Sequence, residues 1–397
     1  MTAPENTNAV DFKDVDIIFG DNPAKAIELL DNGGTRESIL EETGSVVGVA
    51  GATLCVDVGE ICVLMGLSGS GKSTLLRAVN GLNKVTRGQI LLQDEGQEID
   101  MASCDENTLR HMRMERIAMV FQQFALLPWR TVAENVGLGL ELRGVDDVER
   151  ERIVAEKLKL VALDQWSDKF AHELSGGMQQ RVGLARAFAT DAEILLMDEP
   201  FSALDPLIRT HLQDELLDLQ RSLKKTIIFV SHDLDEALKI GNHIAIMDGG
   251  RVVQYGEPED IILNPANDYV RDFVSHVNPL NVLCGVSLMT PVNGQSGKVS
   301  LDHTGHVHLF ISADGKAERV TVDDKEGRLL SSDTSEPPHE KDIVMTAPPD
   351  ITMRQVISLR QITGNPVVLV EDGKVIGHIG DEEILNGLVG PVDKNEN

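Results

Sequence analysis

The stretch Gly66-Leu67-Ser68-Gly69-Ser70-Gly71-Lys72-Ser73 constrains this chain more than any other. It reads as glycine, four residues, then Gly-Lys-Ser, preceded by the apolar run Ile61 to Met65 and followed by the helix-like Thr74 to Asn80. Strand, tight loop and helix in that order make a phosphate cradle. Glycines let backbone N–H groups converge on an anion, and the helix that starts there adds the positive end of its dipole. The expected ligand contacts are Gly66, Ser68, Gly69, Ser70 and Gly71 along the loop, with Thr74 on the first turn. Lys72 is placed to reach the β- and γ-phosphates and Ser73 to hold Mg²⁺. An ordinary glycine-rich turn explains this pattern poorly.

Composition narrows the setting. With 397 residues, 42% of them hydrophobic, the chain has the material for two or three cores. No apolar run approaches the roughly 18 to 20 residues needed to cross a bilayer. The start, Met-Thr-Ala-Pro-Glu-Asn, lacks the basic and apolar regions of a secretory leader. Cys55, Cys62, Cys104 and Cys284 form no Cys-x-x-Cys pair, as expected of small core hydrophobes in a reducing compartment. A formal net charge of −28 disfavours nucleic acid as a partner.

Residues 1–45 read as a polar, acidic N-terminal extension with one short helix at Pro23 to Asp31. Two aromatics there, Phe12 and Phe19, are both candidates to stack on an adenine. From Val46 the pattern turns β-like, and Ala52 to Val58 with a turn at Gly59-Glu60 predicts an antiparallel pair feeding the cradle. Gln89 to Gln93 and Ile117 to Phe121 read as strands, with a helix at Leu109 to Glu115 between them. About 123–172 carries helical patterns at Val132 to Arg143 and Glu149 to Leu160 and predicts an inserted helical subdomain. Strand signals return at Ile194 to Met197, Thr226 to Val230 and His243 to Met247, each joined to a helix.

Ile194 to Met197 ends in Asp198-Glu199-Pro200. A continuous apolar strand suits a central parallel sheet, and the carboxylates at its end suit Mg²⁺ held through water (Asp198) and polarisation of an attacking water (Glu199). Pro200 is expected to keep Glu199 extended. Farther upstream, Leu174-Ser175-Gly176-Gly177-Met178-Gln179-Gln180-Arg181 offers Ser175 as an N-cap, two glycines and a helix through Ala189. This second anion-shaped helix start has no lysine. One complete cradle and one separate glycine nest imply a head-to-tail pair in which each nest caps the γ-phosphate held by the other chain.

Leu174 to Gln179 resembles the signature motif of ATP-binding-cassette (ABC) ATPases, and other cassette elements follow in the family's order. Gln122 is similar to the Q-loop glutamine, which in that family contacts Mg²⁺ and relays movement to the helical subdomain. Ser202-Ala203-Leu204-Asp205 resembles the D-loop, which lies across the dimer interface, and His232 the switch histidine that contacts the γ-phosphate. The resemblance, over about residues 46–265, implies an α/β fold, a P-loop NTPase cassette with a mixed central sheet, an antiparallel β subdomain and a helical subdomain. It implies Glu199, His232 and Gln122 as catalytic residues, and Ser73, Gln122 and Asp198 at the metal. Ser175, Gly176, Gly177, Gln179 and Asp205 would approach ATP from the partner copy.

The phrases Met65 to Gly71 and Phe121-Gln122-Gln123-Phe124-Ala125-Leu126-Leu127-Pro128 resemble ATPase subunits of glycine betaine/proline/choline importers. Arg130 to Val136 and Asn278 to Leu283 look closest to the choline branch. Such a subunit works as a homodimer at the cytoplasmic face of the inner membrane, held there by integral-membrane permease subunits that dock near Phe124 to Asn135. A periplasmic or extracellular substrate-binding protein takes part indirectly. The cassette is expected over 46–276.

The tail, 277–397, holds 10 Lys/Arg against 18 Asp/Glu. Val344 to Pro348, a helical stretch, Pro366 to Val370 and Val375 to Ile379 resemble one α+β cystathionine-β-synthase (CBS) repeat, clearest over about 342–390. A degenerate first copy is expected to start at Leu288-Met289-Thr290-Pro291. Gly380 and Glu383 stand where that family often has a Ser/Thr and an Asp for adenosine phosphates. Dimerisation is the leading reading of the tail and regulation the second.

Overall fold

The structure, a computed structural model, describes residues 8–94, 96–122, 125–202, 204–275, 277–292, 296–332 and 340–389. Gln123, Phe124, Ala203 and the end of the repeat at 390 lie outside them. The chain forms two compact units, through Pro258 and from Glu259 onward.

The first unit contains two sheets. Its six-stranded sheet runs Arg251–Gly256, His243–Asp248, Ile61–Met65, Thr226–Val230, Ile194–Asp198, Ile117–Val120. All neighbours are parallel except the edge strand Arg251–Gly256. Ile61–Met65, Ile194–Asp198 and Thr226–Val230 are buried at every position. That is the continuous apolar character a sheet covered on both faces requires. The strands before Lys72 and Glu199 end on the same edge, because parallel strands present their carboxyl ends together.

The four-stranded antiparallel sheet corrects two expectations. Its order is Val46–Asp57, Asn8–Phe19, Arg87–Asp94, Gln97–Asp100. Asn8–Phe19 is therefore a central strand and not part of an extension, with Val10, Phe12, Val15 and Ile17 fully buried. Val46–Asp57 pairs with it and not with Ile61–Met65, because the chain changes sheets at the Gly59-Glu60 turn. Between these strands, helices Pro23–Asp31 and Arg36–Thr43 pack Ala26, Leu30 and Ile39 against Ile18, Val47 and Ala50. Arg87 joins the buried Asp16 (2.6 Å) to Asp31 (2.8 Å) and so ties this hairpin to the sheet.

Helices Val132–Val136, Leu138–Leu142 and Asp147–Leu160 occupy the expected helical subdomain, packed beside Gly176–Ala189. Thr131 and Glu134 close a reciprocal capping box at the first of them. The predicted helix at Leu109 to Glu115 is a helix over Glu106–His111 that widens into a π turn at Met112–Arg116.

In the second unit an eight-stranded sheet carries strands Ile343–Ala347, Val367–Glu371 and Lys374–Ile379, with helices Met353–Thr363 and Asp381–Val389. That is one βαββα repeat, over the residues predicted for it. The expected first copy does not form. Gly297–Ser300, Val307–Ile311, Ala317–Val322 and Lys325–Ser331 make an antiparallel meander, with no helix among the described residues from 289 to 331.

Candidate functional site

The loop after Ile61–Met65 needs glycine for two reasons at once. Gly66 and Gly71 have φ of +139° and +102°. A Cβ on Gly66 would stand 2.1 Å from the carbonyl oxygen of Met247, and one on Gly71 2.4 Å from that of Gly48. Leu67, Ser68 and Gly69 are exposed at the tip, and Ser70 is buried beneath it. The helix Lys72–Val79 begins directly after, so its N-terminus faces the loop's concavity.

Lys72 is buried, and its Nζ donates to the carbonyl oxygens of Gly66 (2.8 Å) and Leu67 (2.9 Å). Burial pulls its pKa below the usual lysine value, against the attraction of Glu199 and Asp198. Ser73 Oγ donates to Asp198 Oδ1 at 2.7 Å. Arg77, one turn along the helix, donates to Asp198 Oδ2 through Nε (3.2 Å) and Nη2 (2.8 Å). Asp198 is fully buried, and a buried carboxylate persists only with such partners. Arg77 is a site residue the sequence reading missed. Its four-residue spacing from Ser73, which puts both on one face of the helix, was the available signal.

Glu199 departs from expectation in backbone but not in place. Its φ is +49°, in the left-handed region, so Pro200 does not hold it extended. The reason lies in the turn that follows. Glu199 N–H donates to Val230 O (3.1 Å), while its carbonyl accepts from Ser202 N (3.3 Å), Ser202 Oγ (3.0 Å) and Gln180 Nε2 (3.3 Å). A left-handed non-glycine residue costs of order 1–3 kcal/mol and persists where surrounding bonds over-determine it. The side chain meets both other predicted catalytic residues: Gln122 Nε2 donates to Glu199 Oε2 at 2.9 Å, and His232 Nδ1 lies 3.3 Å from the same oxygen.

Beneath His232, Ser231 Oγ donates to Glu236 Oε2 (2.5 Å) and Gln213 Nε2 to Glu236 Oε1 (3.0 Å). Arg209 Nη1 reaches Asp233 Oδ2 at 3.1 Å. Burial raises the Glu236 pKa despite the bonds from Ser231 and Gln213. This network fixes the chain on both sides of His232 and was not foreseen.

Phe12 and Phe19 separate cleanly. Phe12 is fully buried in the core of the first unit and cannot stack on a ligand. Phe19 is 42% exposed, and its ring edge and the Thr74 methyl converge over Gly48, where a Cβ would meet them at 2.8 and 3.0 Å.

The remaining predicted residues stand apart. Ser175 Oγ accepts from Met178 N at 3.4 Å and caps the helix Gly176–Ala189, with Ser175 and Gly176 exposed. Gln179 Nε2 donates to Ala171 O (2.9 Å) and Leu174 O (3.2 Å), so this amide braces its own turn. Asp205 is exposed and starts the helix Pro206–Leu223, its carbonyl accepting from Arg209 N at 2.9 Å. None of these bonds reaches the phosphate loop.

Residues 49–202 match the family described as "ABC transporter". The glycine betaine transport ATP-binding protein of Bacillus subtilis is 48% identical over 83% of this chain and 77% of its own length. The glycine betaine/carnitine transport ATP-binding protein of Listeria monocytogenes is 43% identical over 94% of this chain and 96% of its own. Among solved structures, a dimeric bacterial ABC transporter cassette aligns over 63% of this chain and 98% of its own with a TM-score of 0.54 and 29% identity. This chain belongs to the ABC transporter family of ATPases, in the group of ATP-binding subunits that includes those two glycine betaine transport proteins.

Proposed function

We propose that two copies of this chain close over two Mg·ATP and drive import of a quaternary ammonium solute of the glycine betaine class through permease subunits. The observation that carries the ATPase half is the convergence of Gln122 and His232 on Glu199 Oε2, with Lys72, Ser73 and Asp198 at the adjoining strand end. Two similar relatives are named for glycine betaine, which favours that solute over choline.

Each residue has a role that follows from its place. The loop's N–H groups and Lys72 bind the β- and γ-phosphates, Lys72 exchanging the carbonyls of Gly66 and Leu67 for phosphate oxygens. The Ser73 hydroxyl and Asp198 are paired hard oxygen donors and, with the Gln122 amide oxygen, suit Mg²⁺. When bound, Mg²⁺ neutralises charge on the phosphates. Glu199 takes a proton from the attacking water, oriented by Gln122 and His232. Phe19 supplies a face for the adenine. Ser175, Gly176, Gly177 and Asp205 complete the partner's cleft.

Beside the helical subdomain, a cavity of about 370 Å³ lined by Leu82, Met119, Phe121, Ala125, Leu138 and Leu142 is apolar enough to receive a permease segment. It adjoins the expected docking stretch and lies near Gln122, so closure at the phosphates can move what sits there. No helix among the described residues is long and apolar enough to span a bilayer, which suits a subunit held at the cytoplasmic face by its permease. The test is reconstitution with its permease and binding protein in liposomes. Glycine betaine should stimulate ATP hydrolysis and accumulate in proportion to it. Accumulation of choline alone, or hydrolysis indifferent to both, would refute the assignment.

A further inference from the structure

Phe19 and Val46 are paired neighbours on adjacent antiparallel strands, so a tight turn would suffice to join Asn8–Phe19 to Val46–Asp57. The chain instead forms the two-helix hairpin over residues 20–45. Its own small core holds it on the sheet. Arg87 adds a second anchor, bonding both Asp31 oxygens (2.8 Å each) while its Nε holds the buried Asp16. Just past the turn between the helices the hairpin meets the phosphate loop. Arg36 Nη1 donates to the carbonyl oxygen of Gly69 at 3.0 Å. Arg36 is the first residue of its helix, whose N-cap Thr35 accepts from Ser38 N at 3.2 Å, and this fixes where the side chain leaves the backbone.

Gly69 is the part of the loop that packing constrains least. Its φ is +81°, it is exposed, and a Cβ there would meet nothing within 4 Å, whereas Gly66 and Gly71 are pressed against the carbonyls of Met247 and Gly48. A glycine in open space has the most freedom to lose, so its peptide needs an outside hold. The Arg36 bond supplies one. Because the peptide is planar and trans, a Gly69 carbonyl turned to Arg36 directs the Ser70 N–H the opposite way. That N–H donates to Leu67 O at 3.2 Å, and the same oxygen accepts from Lys72 Nζ at 2.9 Å. Arg36, the Gly69–Ser70 peptide, Leu67 and Lys72 therefore form one line of bonds across the loop.

A plain surface staple would explain the Arg36 bond only if the hairpin lacked other anchors. It has its core and the Asp31–Arg87–Asp16 ties, and one exposed hydrogen bond adds little to their stability. The consequence of the bond lies with its unrestrained partner, the glycine tip. A guanidinium beside the loop also raises the positive potential where a polyphosphate enters.

We propose that Arg36 is a positioning residue for the phosphate loop, and that the inserted hairpin exists to hold the Gly69–Ser70 peptide in its phosphate-binding orientation. This rests on the loop being the triphosphate site. The experiment is equilibrium binding to the full chain with Mg²⁺, titrating ATP and, separately, inorganic tripolyphosphate against a fluorescent ATP analogue. Arg36→Ala should weaken both by the same factor, ~3–10-fold, with an unchanged melting temperature. Arg36→Lys keeps a cationic donor and should bring both back to within about twofold of the parent chain. Phe19→Ala, which touches only the base, should weaken ATP and spare tripolyphosphate. Lys72→Ala in the same assay shows separately whether the loop holds phosphate at all. Unchanged ATP affinity in Arg36→Ala, or a loss confined to ATP with tripolyphosphate spared, would overturn the proposal.

Discussion

The helices that begin at Lys72 and at Gly176 both have glycine at their N-terminal ends, before the first residue in one and as the first two residues in the other, and differ in what surrounds them. The first N-terminus is enclosed by a buried lysine, a serine hydroxyl and a buried carboxylate braced by Arg77. The second is exposed, capped by its own Ser175, with Gln179 turned back onto the carbonyls of Ala171 and Leu174. Both ends attract anions through the same dipole, but only the first carries the charge and the base that chemistry needs. On the proposed reading a single chain holds one finished half-site and one blank face, the second put to use against another chain's phosphate.

Five substitutions can break or sharpen that contrast. Glu199→Gln should have the largest effect, lowering phosphate release by ~10²–10⁴ while ATP binding persists and the dimer is trapped on size exclusion. Full turnover in this variant would remove Glu199 from the role of base. Gly177→Asp should cut turnover by ~10²–10³ through a carboxylate placed against the partner's γ-phosphate, yet leave ATP affinity of the isolated chain unchanged in equilibrium binding. Lys72→Ala should act in the opposite way, weakening ATP binding itself by ~10–100-fold in the same assay. If both variants weakened binding equally, the two helix starts would belong to one site. Phe19→Ala should have the smallest effect, about tenfold in affinity for a fluorescent ATP analogue. Phe12→Ala, by contrast, should lower stability by ~3–5 kcal/mol and spare nucleotide affinity.

The same contrast shows what a sequence can and cannot disclose. Local chemistry was readable: Gly66 to Ser73, Asp198-Glu199 and Ser175-Gly176-Gly177 announce themselves by spacing, and their elements form where expected. Long-range partnership was not. Asn8–Phe19 read as an acidic extension because register shifts break its alternation and because the buried Asp16 is satisfied by distant partners, the Gly51 N–H and Arg87, 35 and 71 residues away. Arg77 looked like an ordinary helical arginine until Asp198 came beside it. The left-handed Glu199 arises from bonds to Val230, Ser202 and Gln180, two of which come from distant segments. In the tail one repeat was legible from its βαββα pattern, whereas the meander before it carries short strands without the helix a second copy needs.

The account rests on the half-site, and dilution tests it most directly. ATP hydrolysis per chain, measured with the purified protein across a thousandfold range of concentration, should fall steeply once the dimer dissociates and recover on reconcentration. A specific rate that stays constant down to concentrations where light scattering shows single chains would contradict it.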